Sequence, residues 1–196
     1  MKEDILEQLV DDYLQVNRYF TRHNVKYWPT KDDKYDSKKD SGASDIDVIG
    51  INPHLRGSKR VRVVNCKSWQ SGVNLTHWIS GIEEGKTLNG KDAWKTFREL
   101  ADKKWADGFI AKIKELTGTD RFTYVLAVTK LTGDKTGKSK LIKNKQFKEN
   151  LHGNRIEIIT VKEMLDDIKK KMGKTKTVAS SDVGRLLQVI NASGWK

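Results

Sequence analysis

The segments Ser44-Asp45-Ile46-Asp47-Val48-Ile49-Gly50-Ile51 and Arg60-Val61-Arg62-Val63-Val64-Asn65-Cys66-Lys67 place the tightest constraint on how this chain folds. Each is short and rich in β-branched residues. Between them, Asn52-Pro53-His54-Leu55-Arg56-Gly57-Ser58-Lys59 supplies the Pro and Gly of a hairpin connection, so the two read as adjacent strands. Acidic, amide and lysine side chains nevertheless interrupt both apolar runs. A charge buried without a partner costs several kcal/mol or more, so polar groups at such positions pair with one another or with a metal ion.

The rest of the chain frames this pair. Ile5, Leu6, Leu9, Val10, Tyr13 and Leu14 recur at helical spacing and predict an amphipathic helix over residues 3–19. Residues 20–27 read as extended, Trp28-Pro29 ends them, and residues 30–44 read as a mobile basic loop. Beyond Lys67, helical periodicity covers residues 76–85 and 92–116, the latter through Trp94, Phe97, Leu100, Trp105, Phe109 and Ile113. Residues 122–128 form a strong strand by β-branched and aromatic content, and residues 131–145 read as a basic loop. A strand over 155–161, a helix over 163–172, a basic linker over 173–177 and a last helix over 181–191, capped by Ser180 or Ser181, complete the chain. The order predicts an α/β fold with a mixed central sheet flanked by helices.

The 196 residues suit one domain, here residues 1–175, with residues 176–196 as a short C-terminal helical appendage. A net charge of +12, spread along the chain, favours a polyanionic partner, and charge alone does not separate DNA from RNA. No apolar stretch approaches the roughly 20 residues of a membrane span, and Met1-Lys2-Glu3-Asp4 opens no secretory pattern. We therefore expect an intracellular protein without a membrane partner. One cysteine, Cys66, excludes an internal disulfide and any cysteine-rich metal cluster, and the four histidines have no metal-ligand spacing.

Side chains alternate across a strand, which places Asp45 and Asp47 on one face of the first segment. On the second, Asn65 and Lys67 share a face while Cys66 points the other way. In a hairpin, Asp47, Asn65 and Lys67 converge. Carboxylate, amide oxygen and main-chain carbonyl are hard donors suited to Mg²⁺ or Mn²⁺, and a lysine nearby can hold water or phosphate. Such an apparatus hydrolyses phosphodiesters, the metal polarising the phosphoryl oxygen and the ammonium offsetting developing charge. Asp45 reads better as a strand start or turn cap than as a direct ligand.

These segments resemble the PD-(D/E)XK nuclease superfamily, within it the branch of Mrr-type restriction endonucleases and archaeal Holliday-junction resolvases. The likeness rests on Glu7-Gln8-Leu9-Val10-Asp11-Asp12-Tyr13-Leu14, Gly42-Ala43-Ser44-Asp45-Ile46-Asp47-Val48-Ile49 and Val63-Val64-Asn65-Cys66-Lys67-Ser68-Trp69, in the family's order. With the strand at 122–128 they span an αβββαβ core. The resemblance implies a restriction-endonuclease-like fold and a metal-dependent DNA endonuclease, restriction-like or specific for junctions or other DNA structures. Asp47 matches the metal-binding aspartate, Lys67 the catalytic lysine, and Glu7 the helix-one glutamate that reaches the metal through water. Asn65 stands where the family usually has Glu or Asp, and the Cys66 carbonyl completes the implied set around Mg²⁺ or Mn²⁺.

Glu7 also has a plain reading, since first-turn acids are favoured by the helix dipole. The neutral Asn65 motivates an alternative, a DNA-binding protein that keeps the nuclease fold without catalysis. Lys38, Lys39, Arg60 and Arg62 are the candidate phosphate contacts. Trp69 could stack on a base or pack against the following helix; most tryptophans of this chain sit in helix-period stripes, which favours packing. A homodimer is implied by two-strand cleavage, and no small-molecule cofactor is expected.

Overall fold

The computed structural model describes residues 4–31, 40, 42–172 and 181–194. Helix α1 (Ile5–Val16) starts at Asp4, whose Oδ1 accepts the Leu6 N–H at 2.8 Å, and its apolar stripe buries Leu6, Leu9, Val10 and Leu14. Strands β1 (Phe20–Tyr27), β2 (Ser44–Ile51) and β3 (Val61–Lys67) follow as an antiparallel meander. The loop expected over residues 30–44 lies mostly outside the described residues, and Lys38 and Lys39 with it.

Helix α2 (Leu75–Glu83) leads into a two-stranded hairpin, β4 (Thr87–Leu88) and β5 (Lys91–Asp92). Its two-residue turn places Asn89 at φ +51° and Gly90 at φ +76°, the left-handed pair that a type I′ turn requires. The continuous helix predicted over 92–116 is broken. A 3₁₀ turn (Ala93–Thr96), a short α3 (Arg98–Ala101) and α4 (Lys103–Thr117) take its place. Phe97 leaves helical geometry at φ −133°, ψ 50°, and Asp102, extended at φ −123°, caps α4 by accepting the N–H groups of Lys104 and Trp105 at 2.9 and 3.4 Å. Burial of Phe97, Leu100 and Trp105 overrides the helical period that those residues share.

Strand β6 (Thr123–Val128) is buried at every position, as a parallel strand covered on both faces must be. Residues 131–145, read as loop, contain α5 (Gly137–Lys143), and α6 (Lys145–Asn150) follows. Leu141 is the fully buried apolar residue of α5, too little for a periodic signal in the sequence. Strand β7 (Arg155–Thr160), α7 (Val161–Met172) and α8 (Asp182–Ala192) end the order. Ser181 caps α8, its Oγ accepting the Gly184 N–H at 3.0 Å. The expected domain boundary falls outside the described residues, and beyond it Val183 and Leu187 of α8 pack on the cluster around α1.

The five-stranded sheet runs β1-β2-β3-β6-β7, with β3, β6 and β7 parallel, so the fold is α/β with a mixed central sheet. Helices α1 and α7 cover one face, where Leu9, Val10 and Met164 share a core with Val64 of β3 and Val125 of β6. The other face packs Val63, Tyr124 and Leu126 against Trp78, Phe97, Trp105 and Phe109 of the intervening helices. Among the described residues no helix is long and apolar enough to cross a membrane.

One irregularity sits beside the polar residues that opened the sequence. Val48 belongs to the core on the α1 side, and its partner His23 meets Asp11 of α1 at 3.1 Å. Two residues along, Ile46 and its partner Val25 belong to the opposite core. The alternation of both strands therefore switches phase at Asn24 and Asp47, and Asn24 has φ +50°. Shared parity consequently does not place Asp45 and Asp47 on one face. A β-branched residue is strained at such a φ, whereas Gly is at ease there. Asn24→Val is expected to lower stability by about 1–3 kcal/mol, and Asn24→Gly to stay near wild type, as read from urea unfolding midpoints.

Candidate active site

Strand β2 stays paired with β1 as far as Ser44, and β3 with β6 as far as Lys67, but the pairing of β2 with β3 stops at Val48 and Val64. The sheet forks beyond that point. On the inner edge of the fork the Cys66 N–H donates to Asp47 Oδ2 at 2.5 Å, so a side chain takes over where the ladder ends. A cleft of about 790 Å³ opens from the fork, lined among others by Asp45, Asp47, Asn65, Lys67 and Trp69. Helix α3 and the β4–β5 hairpin form its opposite wall.

That wall contributes a residue that the strand patterns do not reveal. Glu99 of α3 is only 2% exposed and lines the same cleft. Its Oε1 accepts from Asn65 Nδ2 at 2.5 Å and from the Tyr124 hydroxyl at 2.6 Å, and its Oε2 from the Tyr27 hydroxyl at 3.4 Å. All three donors are neutral. Burial, reinforced by Glu99, pushes both tyrosine hydroxyls well above their ordinary pKa, so they remain protonated donors. In the sequence Glu99 stands beside Arg98 in the charge-rich stretch Lys95-Thr96-Phe97-Arg98-Glu99-Leu100-Ala101-Asp102, which does not single it out.

Burial also pushes the Asp47 carboxyl above its ordinary pKa; Glu99 and Asp45 add to the rise, while the Cys66 N–H and Lys67 oppose it. A cleft carboxyl whose charge is disfavoured by burial and by a neighbouring carboxylate marks a functional site more often than a structural one. Lys67 is half-buried, with its Nζ 5.7 Å from the centre of the Phe97 ring. Asn65, 6% exposed, has its amide nitrogen committed to Glu99, which leaves its oxygen as the donor it could offer a metal.

The remaining sequence candidates are dispersed. Glu7 sits half-buried on α1, on the side of the Cys66 thiol, and is absent from the cleft lining. Burial, then Asp47 and Glu7, raise the Cys66 thiol well above its ordinary pKa, which suits a packing residue and not a nucleophile. Arg62 is half-buried toward α1, its Nη2 3.0 Å from Glu157 and its guanidinium 5.9 Å from the Tyr19 ring centre. Arg60 is exposed at the start of β3. Each of the two arginines stands five residues, roughly 17 Å of strand, from Asn65 or Lys67 respectively. They lie at the far end of the sheet, and Lys91, Lys95 and Arg98 are the cations that line the cleft in addition to Lys67. Trp69 packs on Trp78, ring centres 5.0 Å apart, while still lining the cleft.

No protein-family model matches the chain, and no curated protein matches it. Among solved structures it is similar to a protein of unknown function, AF1548, at 10% identity and a TM-score of 0.40, over 96% of this chain and 95% of that one.

Proposed function

We propose that the chain is a metal-dependent DNA endonuclease that hydrolyses phosphodiester bonds in the cleft between the β2–β3 fork and α3. The convergence of Asp47, Glu99 and Lys67 on this one cleft supports the reading most directly. Asp47 and Glu99 with the Cys66 carbonyl would hold the ion, and oxygen donors of this kind suit Mg²⁺ or Mn²⁺. Among the described residues no three His, Cys, Asp or Glu side chains form a metal-binding group. Two carboxylates suffice for Mg²⁺, which keeps several waters and shares substrate phosphate oxygens. When bound, such an ion polarises a phosphoryl oxygen and acidifies water.

The chain's own groups divide the remaining work. Lys67 holds the attacking water or a phosphate oxygen and offsets developing charge. Asn65, together with Tyr27 and Tyr124, positions the Glu99 carboxylate. In this arrangement Glu99 supplies the second negative charge that the family's usual residue at position 65 would bring. Glu7 stands outside the cleft, so any contribution from it passes through Cys66 or water. The substrate polyanion is DNA, and cleavage of both strands of a duplex calls for two copies of the chain.

Supercoiled plasmid, forked and four-way junction DNA incubated with Mg²⁺ or with EDTA test the reading. Metal-dependent nicking or cutting that is strongly reduced in Lys67→Ala is the expected result. No cleavage of any substrate by the wild-type protein, or undiminished cleavage by Lys67→Ala, would overturn it. DNA binding with steep salt dependence but without Asp47-dependent Mg²⁺ binding would select the nuclease-shaped binding protein instead.

A further inference from the structure

The cleft is not uniform. Besides Asp47, Lys67 and Glu99 it is lined by Trp69, Trp78 and Leu88 with Asn89 of the hairpin tip. Trp69 comes two residues after Lys67 and is fixed from two sides. Its carbonyl accepts the Thr129 hydroxyl at 2.5 Å, and its ring leans on Trp78 with ring planes 32° apart. Trp78 in turn meets Phe97 edge to face at 5.8 Å. An indole braced from behind and still lining a cleft is a preorganised π surface, and Lys91 and Arg98 add cations to the same walls.

A volume of about 790 Å³ is that of a pocket for one nucleotide-sized group. A backbone phosphate can reach Asp47 and Lys67 inside it when its nucleotide leaves the stack. We infer that the cleft takes one unpaired nucleotide, its base stacked on Trp69 and its phosphate at Asp47 and Lys67. The class of substrate that follows is DNA with an unpaired or readily extruded nucleotide next to the bond that is cut. This rests on the nuclease reading for the word cut and not for the stacking itself.

The test therefore measures binding in EDTA, where no cleavage takes place. Three hairpin duplexes of one sequence are titrated at fixed salt while Trp fluorescence and anisotropy are followed: fully paired, with a single unpaired thymidine, and with an abasic residue at the same bulge. Stacking of one base on an aromatic ring is worth between about 5-fold and 150-fold in affinity. The thymidine bulge is expected to bind more tightly than both other hairpins by a factor in that range. Trp69→Leu, which still packs on Trp78 but offers no ring, removes the advantage, and Trp69→Phe keeps most of it.

Equal affinity for the thymidine and abasic bulges overturns the inference on the wild-type protein alone, whether or not Trp69→Leu folds. An advantage undiminished in a folded Trp69→Leu protein, checked by circular dichroism, overturns it as well. Bulge preference without Mg²⁺-dependent cleavage would sink the nuclease reading and leave the stacking site intact. Cleavage without preference would do the reverse.

Discussion

Glu99→Gln is expected to lower Mg²⁺-dependent cleavage by at least about 100-fold, the scale for loss of a preorganised electrostatic group at a reacting centre. The substitution removes the charge while keeping the length and one acceptor of the side chain. DNA affinity in EDTA should stay near wild type or rise slightly, because the cleft loses a negative charge. A further readout separates an electrostatic role from a merely structural one. Glu99 is one of the groups holding the Asp47 carboxyl above its ordinary value, after burial itself. In the metal-free protein the Asp47 carboxyl of Glu99→Gln, followed by NMR, should therefore titrate at lower pH than in wild type. An unchanged Asp47 titration together with undiminished cleavage would remove Glu99 from the site. Stability falls as well, since Asn65, Tyr124 and Tyr27 all donate to this carboxylate and a glutamine turns an N–H₂ toward one of them. Leaving one buried donor unsatisfied costs about 1–3 kcal/mol.

The largest effect on folding is expected from a methyl group. In the middle of α4, a Cβ at Gly108 would lie 1.9 Å from the Trp28 carbonyl oxygen and 2.9 Å from the Trp28 carbonyl carbon. Both are main-chain atoms, where β1 has ended and the chain runs along α4, pinned by the Thr30 N–H donating to the Lys104 carbonyl at 3.1 Å. Helix propensity favours Ala over Gly by about 1 kcal/mol. Overpacking against backbone that cannot rotate away reverses the sign, and Gly108→Ala should lose about 3 kcal/mol. For a chain of this size such a loss lowers Tm by roughly 6–12 °C. Gly42→Ala, whose Cβ meets nothing within 4 Å, is the matched control and should melt like wild type. A Gly108→Ala protein as stable as the control would show that α4 and the Trp28 segment part more easily than their packing indicates.

Strands and the two-faced sheet were legible because their signals are local. The β-branched and aromatic β6 and the apolar runs of β2 and β3 announce themselves in six to eight residues. The break between α3 and α4 was not legible, since Leu100, Trp105 and Phe109 keep helical spacing across it and only tertiary burial decides where the chain bends. The β4–β5 hairpin had a signal in Asn89-Gly90 that a two-residue strand pair is too short to reinforce. Within the candidate site, Asp47, Asn65 and Lys67 stand out as polar residues in apolar strands, although the β2–β3 pairing ends before them, whereas Glu99 follows from a helix whose rotation no pattern in the sequence specifies. The basic residues show the limit of charge as a guide. Arg62 sits in a cationic stretch, yet its partner is Glu157 on β7, a residue brought near only by the sheet order.

The fork between β2 and β3 has a consequence for the newly made chain. Lys67 is held in place by β6, through its pairing with Val128, and Glu99 by the Tyr124 hydroxyl of that same strand. On a ribosome, β2 and β3 emerge first and can close as a hairpin, but neither the parallel neighbour nor the hydroxyl exists until residue 128 has left the exit tunnel. Whatever chemistry the cleft performs is thus absent from every shorter nascent fragment. A truncated product ending before β6 would be inert, and the cell would meet the activity only in chains that have reached the parallel half of the sheet.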